Sequence, residues 1–151
     1  MIAFMQAGGV ALYGGTFNPI HIGHLVSARA IQEYLDLARV IFIPAGYPPH
    51  RSPHELASPR DRLEMVRLAI TGEPHFDVTD IELRQGGMTY SMRSVEGLRA
   101  TLGPGVTLYW IIGGDMLTDL RNWQRIAEMA EVCRIVTAVR AGVEIPDLSA
   151  L

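Results

Sequence analysis

Val10-Ala11-Leu12-Tyr13-Gly14-Gly15-Thr16-Phe17-Asn18-Pro19-Ile20-His21-Ile22-Gly23-His24-Leu25 decides how the rest of the chain is read. A short apolar run, 10–13, ends on two glycines, as a buried strand does where the backbone must turn or come close to a ligand. Residues 22–35 then put Leu25, Ala28, Ile31, Gln32 and Leu35 on one helical face. Strand, glycine turn and helix open a parallel α/β unit, and the helix start offers free N–H groups and a positive dipole end to an anion. His21 and His24 are three apart, so both imidazoles can point the same way from the first turn. An imidazole so placed donates hydrogen bonds to phosphate oxygens as charge builds on them. Taken singly, the glycines are also a plain turn and the histidines a structural or metal-binding pair. No third Cys or His stands nearby at ligand spacing, so no metal site is assigned.

Outward from this stretch the same alternation repeats. Residues 40–43, Val-Ile-Phe-Ile, read as a buried strand stopped by Pro44, and a Pro- and His-bearing loop runs over 44–57. Ser58 is an N-cap with Pro59 at the first helical position and Asp61 in the first turn, opening a helix to about Ile70 that Gly72 and Pro74 end. Alternation over 76–83 predicts a strand with one covered face, and 91–102 a helix closed by Gly103-Pro104-Gly105. An apolar strand over 106–112 stops at Gly113-Gly114; a helix over 122–130 and a strand over 132–139 follow, and 142–151 shows no period. Strands separated by helices of this length imply right-handed crossovers, hence an α/β, Rossmann-like parallel sheet with helices on both faces. Ligands of such sheets bind beyond the carboxyl ends of the strands, so the loops after Tyr13, Ile43 and Ile112 are where chemistry is expected.

Composition bounds what that chemistry is. The chain has 151 residues, 48% hydrophobic, which suits one domain over 1–151 with a real core. A net charge of -3 gives no bulk case for nucleic acid, so any phosphate binding must be local. The lone Cys133, in an apolar run, reads as a packed core thiol and cannot form an internal disulfide, which fits a reducing compartment. No basic leader precedes the first strand, and no apolar run approaches the ~20 residues that span a bilayer, so the expectation is a cytoplasmic protein without membrane contact.

In the second loop, Pro44-Ala45-Gly46-Tyr47-Pro48-Pro49-His50-Arg51, prolines stiffen the backbone and His50 and Arg51 bring donors suited to phosphate; a solvated basic loop is the bland alternative. In the third, Trp110-Ile111-Ile112-Gly113-Gly114-Asp115, glycines again end a strand and the acid is placed to accept from ribose hydroxyls. Trp123 follows eight residues beyond Asp115 and reads equally as a helix-face core residue.

Gly-Gly-Thr-Phe-Asn-Pro followed by His-Ile-Gly-His resembles the signature of the nucleotidylyltransferase superfamily, whose HIGH tetrapeptide is shared with class I aminoacyl-tRNA synthetases. The Pro-Pro-His-Arg string and the Asp115–Trp123 spacing are similar to the bacterial nicotinate-nucleotide adenylyltransferases, many of which carry lysine at Arg51. Thr89-Tyr90-Ser91-Met92-Arg93-Ser94 resembles their Ser-Tyr-Thr-x-Asp-Thr, with Arg93 reversing the charge of the usual aspartate. The likeness runs from about Val10 to Arg140 with the motifs in order; Arg140-Ala141-Gly142 stands for the usual Arg-Pro-Gly. The family's later Ile-Ser-x-Thr-x-x-Arg motif, which closes over adenine and phosphates, has no counterpart in 1–151, so the C-terminal part of the family fold is expected to be missing.

The resemblance implies adenylyl transfer from ATP to nicotinate mononucleotide in NAD biosynthesis, with Mg²⁺ on the triphosphate. It implies His21 and His24 as catalytic groups, and Gly14, Gly15, Thr16, Phe17, His50, Arg51, Gly113 and Asp115 around ATP and its phosphates. Asn18, Thr89, Tyr90 and Trp123 would hold nicotinate mononucleotide. Phosphopantetheine adenylyltransferases are the nearest alternative, against which the Pro-Pro-His-Arg loop and the Asp115–Trp123 spacing argue. A nucleotide-binding protein without turnover is another, and a homo-oligomer is left open. A dehydrogenase would need G-x-G-x-x-G, which does not follow Gly14-Gly15.

Overall fold

The computed structural model describes residues 8–48, 52–88 and 90–139. His50, Arg51, Thr89 and the string from Arg140 onward lie outside the described residues. Strands β1 Val10–Gly15, β2 Arg39–Pro44, β3 Phe76–Val78, β4 Leu108–Gly113 and β5 Arg134–Ala138 form one sheet in the order β3-β2-β1-β4-β5. Every pairing is parallel. Helices α1 Ile22–Tyr34, α2 Pro59–Ala69, α3 Ile81–Gln85, α4 Ser91–Leu102 and α5 Ile126–Val132 supply the crossovers, with 3-10 turns at Pro53–Glu55 and Gly114–Asn122.

The period of two along each strand sorts side chains to opposite faces. Val10 and Leu12, Ile41 and Ile43, and Leu108, Trp110 and Ile112 pack against α3, α4, α5 and the second 3-10 segment. Ala11 and Tyr13, Val40 and Phe42, and Ile111 pack against Ala28 and Ile31 of α1, Val66 of α2 and Ile70 at its C-cap. Helices therefore cover both faces, as the continuous apolar strands required. The chain winds outward from β1 through β2 to β3, then returns to lay β4 and β5 on the other side of β1. The reversal opens a crevice beyond the carboxyl ends of β1 and β4.

Two expectations are corrected. Residues 76–83 do not form one strand: β3 stops at Val78, Thr79 Oγ1 accepts from the Ile81 amide, and α3 begins. Glu82, one of the polar residues in that pattern, is buried. The helix expected over 122–130 starts later: Asn122 ends the 3-10 segment Gly114–Asn122, and α5 begins at Ile126 and runs to Val132. Leu117, Leu120 and Trp123 recur every third residue, the spacing at which a 3-10 helix stacks side chains on one side, and all three pack on the sheet. Cys133 is a core thiol as read: it is buried, donates to Met129 O and has its pKa pushed up to about 11 by burial.

Gly14 is required by contact rather than by a turn. A Cβ there would lie 2.6 Å from Cζ2 of the Trp110 indole, which is itself buried in the sheet face. Gly14→Ala is expected to lower stability by about 1–3 kcal/mol through overpacking. Urea unfolding should show a lower midpoint with an unchanged slope; an unchanged midpoint would mean the indole can move aside.

Candidate active site

The first loop is built around a reciprocal cap on α1. Nδ1 of His21, the N-cap residue, accepts from the Gly23 amide at 3.2 Å, and Nδ1 of His24 accepts from the His21 amide at 3.1 Å. This is the geometry of a capping box, with imidazoles in place of the usual hydroxyl and carboxylate. Because both Nδ1 atoms accept, each neutral ring carries its proton on Nε2. The rings lie 3.8 Å apart between centroids at 30°, so the pair presents two N–H donors from one place. His24 is seated edge-on against Phe17 at 5.1 Å and Tyr13 at 6.1 Å. Burial, and then the neighbouring His21, hold its pKa below the ordinary 6.5. No acid stands in the first turn of α1, so the helix brings no counter-charge of its own to its positive end.

Gly15 ends β1 with no room for a side chain, since a Cβ would lie 2.9 Å from the Phe17 ring. Phe17 is buried with φ 48°, which turns the chain back toward α1. Thr16 offers its carbonyl to Arg62 Nη1 at 2.8 Å. Asn18 faces the start of α2, where its Oδ1 accepts from the Ala57 amide at 2.9 Å.

The second loop is described as far as Pro48, short of His50 and Arg51. Its Gly46 carbonyl accepts from Arg62 Nη2 at 2.9 Å, and its amide donates to Glu82 at 3.3 Å. Arg62 Nε donates to Ala57 O at 3.1 Å, which completes the fork. Burial lowers the pKa of Arg62, opposed by the Glu82 carboxylate. Taking two such ions out of water costs several kcal/mol per ion before their hydrogen bonds offset it. Sequence reading missed this pair. The available signal was Arg62 standing at the position where α2 presents Val66 and Ile70 to the core, four and eight residues on.

The third loop sets Gly113 at the end of β4 and Asp115, exposed, at the start of the 3-10 segment. Its carboxylate is near enough that, after burial, it is the second cause raising the Tyr13 phenol's pKa. The crevice is thus bordered by the histidine pair on one side and an acid on the other. Trp123 is half-buried, packed against the core cluster, with its amide on Leu120 O at 3.2 Å. Tyr90 is the exposed N-cap of α4, and its hydroxyl meets Met88 Sδ at 3.2 Å. Arg93 and Gln85 exchange contacts with each other's backbone carbonyls at 3.4 Å, so the reversed charge fastens α4 to the end of α3. Thr89 lies outside the described residues. Among the described residues, no group of three or more His, Cys, Asp or Glu is placed to hold a metal ion.

The cytidylyltransferase-like family profile matches residues 12–149. The protein named "Probable nicotinate-nucleotide adenylyltransferase" in Dehalococcoides mccartyi is 39% identical over 140 residues, which is 93% of this chain and 69% of that one. A relative of the same name in Laribacter hongkongensis is 40% identical over 139 residues, 92% of this chain and 63% of its own. The chain therefore spans about two thirds of the length of these relatives. In fold it is similar to the Plasmodium falciparum nicotinic acid mononucleotide adenylyltransferase complexed with NaAD, at a TM-score of 0.76 and 20% identity, covering 93% of this chain and 68% of that one. On the profile and these relatives, the chain belongs to the cytidylyltransferase-like family, within its nicotinate-nucleotide adenylyltransferases.

Proposed function

We propose that this protein transfers the adenylyl group of ATP to nicotinate mononucleotide, giving nicotinate adenine dinucleotide and pyrophosphate, as a cytoplasmic step of NAD biosynthesis. The observation that carries the reading is the stacked His21–His24 pair, with both Nε2–H groups available at the crevice where the strand order reverses. An oxygen of the mononucleotide 5′-phosphate attacks the α-phosphorus of ATP. The bond from that phosphorus to the bridging oxygen breaks, and pyrophosphate leaves with the electron pair. Both reactants are anions, so alignment and charge stabilisation are the whole task.

In this reading His24 and His21 donate to the oxygens of the reacting phosphate. Backbone at Gly14, Gly15, Thr16 and Phe17 approaches ATP from below, assisted by the positive end of α1. Gly113 and Asp115 border the nucleoside, and His50 and Arg51 steady the leaving pyrophosphate. Tyr90, Thr89 and Trp123 would contact nicotinate mononucleotide, with Asn18 fixing the first loop to α2. Asp115, exposed at the start of the 3-10 segment, is a hard-oxygen donor that would suit a Mg²⁺ arriving on the triphosphate and drawing its other ligands from substrate and water. When bound, that ion neutralises polyphosphate charge. One sheet with a core on each face supports reading 1–151 as a single nucleotidyltransferase domain. No helix among the described residues is long and apolar enough to cross a membrane.

Purified protein given ATP, Mg²⁺ and nicotinate mononucleotide should release pyrophosphate and form the dinucleotide, with phosphopantetheine unable to compete. Binding without product would instead mark a nucleotide-binding protein. His24→Ala should cut kcat by roughly 10²–10³-fold, as removal of one transition-state donor does, and lower stability by only about 0.5–2 kcal/mol through loss of one cap hydrogen bond; near-normal turnover of the folded protein would remove the role. Trp123→Leu keeps apolar packing and should raise KM for nicotinate mononucleotide while leaving that for ATP in place.

Acid should inactivate the enzyme late. The active form has His24 neutral, since protonating Nδ1 turns an acceptor into a donor facing the His21 amide. Activity is present above the His24 pKa and lost as pH falls through it, and that pKa is lowered from 6.5. The acid limb of kcat/KM is therefore expected below 6.5, and NMR titration of His21→Ala should show His24 moving up toward the ordinary value.

A further inference from the structure

Nothing in the covalent chain keeps the three loops of the crevice in register, because each leaves a different strand. One guanidinium ties two of them together, the loop after β1 and both ends of the loop after β2. Arg62, only 1% exposed, donates to Thr16 O after β1, to Gly46 O after β2 and to Ala57 O before α2. A lysine ammonium has three protons but no planar fork, and does not meet this set of carbonyls in one geometry. On the far side of Gly46, the buried Glu82 accepts from the Gly46 amide at 3.3 Å and from Ser94 Oγ at 2.7 Å. Ser94 is fully buried in the first turn of α4, whose N-cap is Tyr90.

The two opposite charges are thus bridged by Gly46, which is gripped through both its C=O and its N–H. The path Thr16–Arg62–Gly46–Glu82–Ser94 runs from the loop that carries the histidines to the helix that carries Tyr90. Neither side chain belongs to the outer surface, and neither is one of the groups assigned to substrate. Stability alone would be served as well by apolar side chains, since replacing buried ion pairs with packed hydrophobic residues is often neutral or better. What apolar side chains do not do is aim carbonyls and an amide from separate loops at fixed angles.

We propose that Arg62 and Glu82 are positioning residues, which act through Gly46 to hold the adenylyl side and the mononucleotide side of the crevice in register. The inference rests on the adenylyltransferase reading for its kinetic consequences. Each loop's placement is set by its neighbour's, so loosening one end of the path shifts the reacting phosphates out of line as well as weakening one substrate.

The test combines steady-state kinetics and amide hydrogen exchange on Glu82→Ala, Glu82→Gln and Ser94→Ala, with the folded fraction measured for each. Ser94→Ala removes one hydroxyl and guards against a Glu82→Ala chain that fails to fold. Ser94→Ala and Glu82→Ala should lose about ten-fold or more in kcat/KM per folded molecule, within the range that small misplacement costs. KM for nicotinate mononucleotide should rise more than KM for ATP. Glu82→Gln, which keeps an acceptor, should recover most of the loss. In exchange, Glu82→Ala should speed the Gly46 amide, its own partner, and also the Ala57 amide, which it does not touch and which lies beyond Arg62. Lower thermal stability with unchanged kcat and KM per folded molecule, or acceleration confined to Gly46, would overturn the proposal. If the unaltered protein makes no dinucleotide, the functional reading fails separately, and exchange at Ala57 still decides the coupling.

Discussion

The pairing of β1 on both of its edges is the constraint from which the rest follows. Its register sets Gly14 beside Ile43 and Gly15 beside Pro44 on one side, and Tyr13 beside Ile111 on the other. All three strands therefore release their chains at nearly the same height, and three loops converge without any long insertion. In parallel strands covered on both faces, a slip by one residue would send each side-chain set into the opposite core, where it meets partners it does not fit. The height of the loops is thus guarded by the two cores, and the chemistry at the rim inherits a rigid floor.

That floor explains which glycines and aromatics stand where they do. Gly14 leaves the space that the Trp110 indole fills from the neighbouring strand, and Trp110 anchors the face that carries the third loop. Phe17 turns inward against Tyr13 and Phe42 at 5.7 Å from each, so the loop's own side chain becomes core and its backbone is pressed toward the crevice. His24 rests on that same aromatic cluster. A ring held by edge contacts on one flank and a backbone hydrogen bond on another has little freedom left before any substrate arrives, which favours catalysis by orientation.

Much of this was legible because it is local in sequence. The glycine turn, the Ser58-Pro59 helix start and the three-residue spacing of the histidines all act over a single turn of chain, and the structure places each as read. The misread parts depend on partners distant in sequence. Glu82 alternates with Ile81 and Leu83 as a strand residue would, and its inward turn comes from Gly46, 36 positions earlier, and Ser94, 12 positions later. Arg62 shares the core-facing position of Val66 and Ile70 on its helix, and what it pairs with there includes the carbonyl of Thr16, 46 positions away. Trp123 was legible as an aromatic of the site or of the core. The structure gives it the core contact through a 3-10 period of three that a 3.6-residue pattern conceals.

The choice of histidine at positions 21 and 24 follows from two demands made at once. A helix start needs acceptors for its free amides, and serine, threonine, aspartate or asparagine would satisfy it equally. A site for phosphate needs donors at the same place, and a carboxylate cap would repel the ligand. Serine has a proton to give, but its hydroxyl reaches only a short way past the backbone it caps. A lysine supplies charge and no acceptor, leaving the amides of His21 and Gly23 unpaired. The asparagine amide has both functions, but on a shorter arm that holds its donor closer to the backbone it caps. Imidazole accepts on one edge and donates on the other across a rigid ring, which fixes the direction of the second bond by the first. The neutral state that this requires is the one burial favours at His24. The same hydrogen bonds that start α1 therefore also aim the donors, so the helix cap and the proposed catalytic pair are one structure.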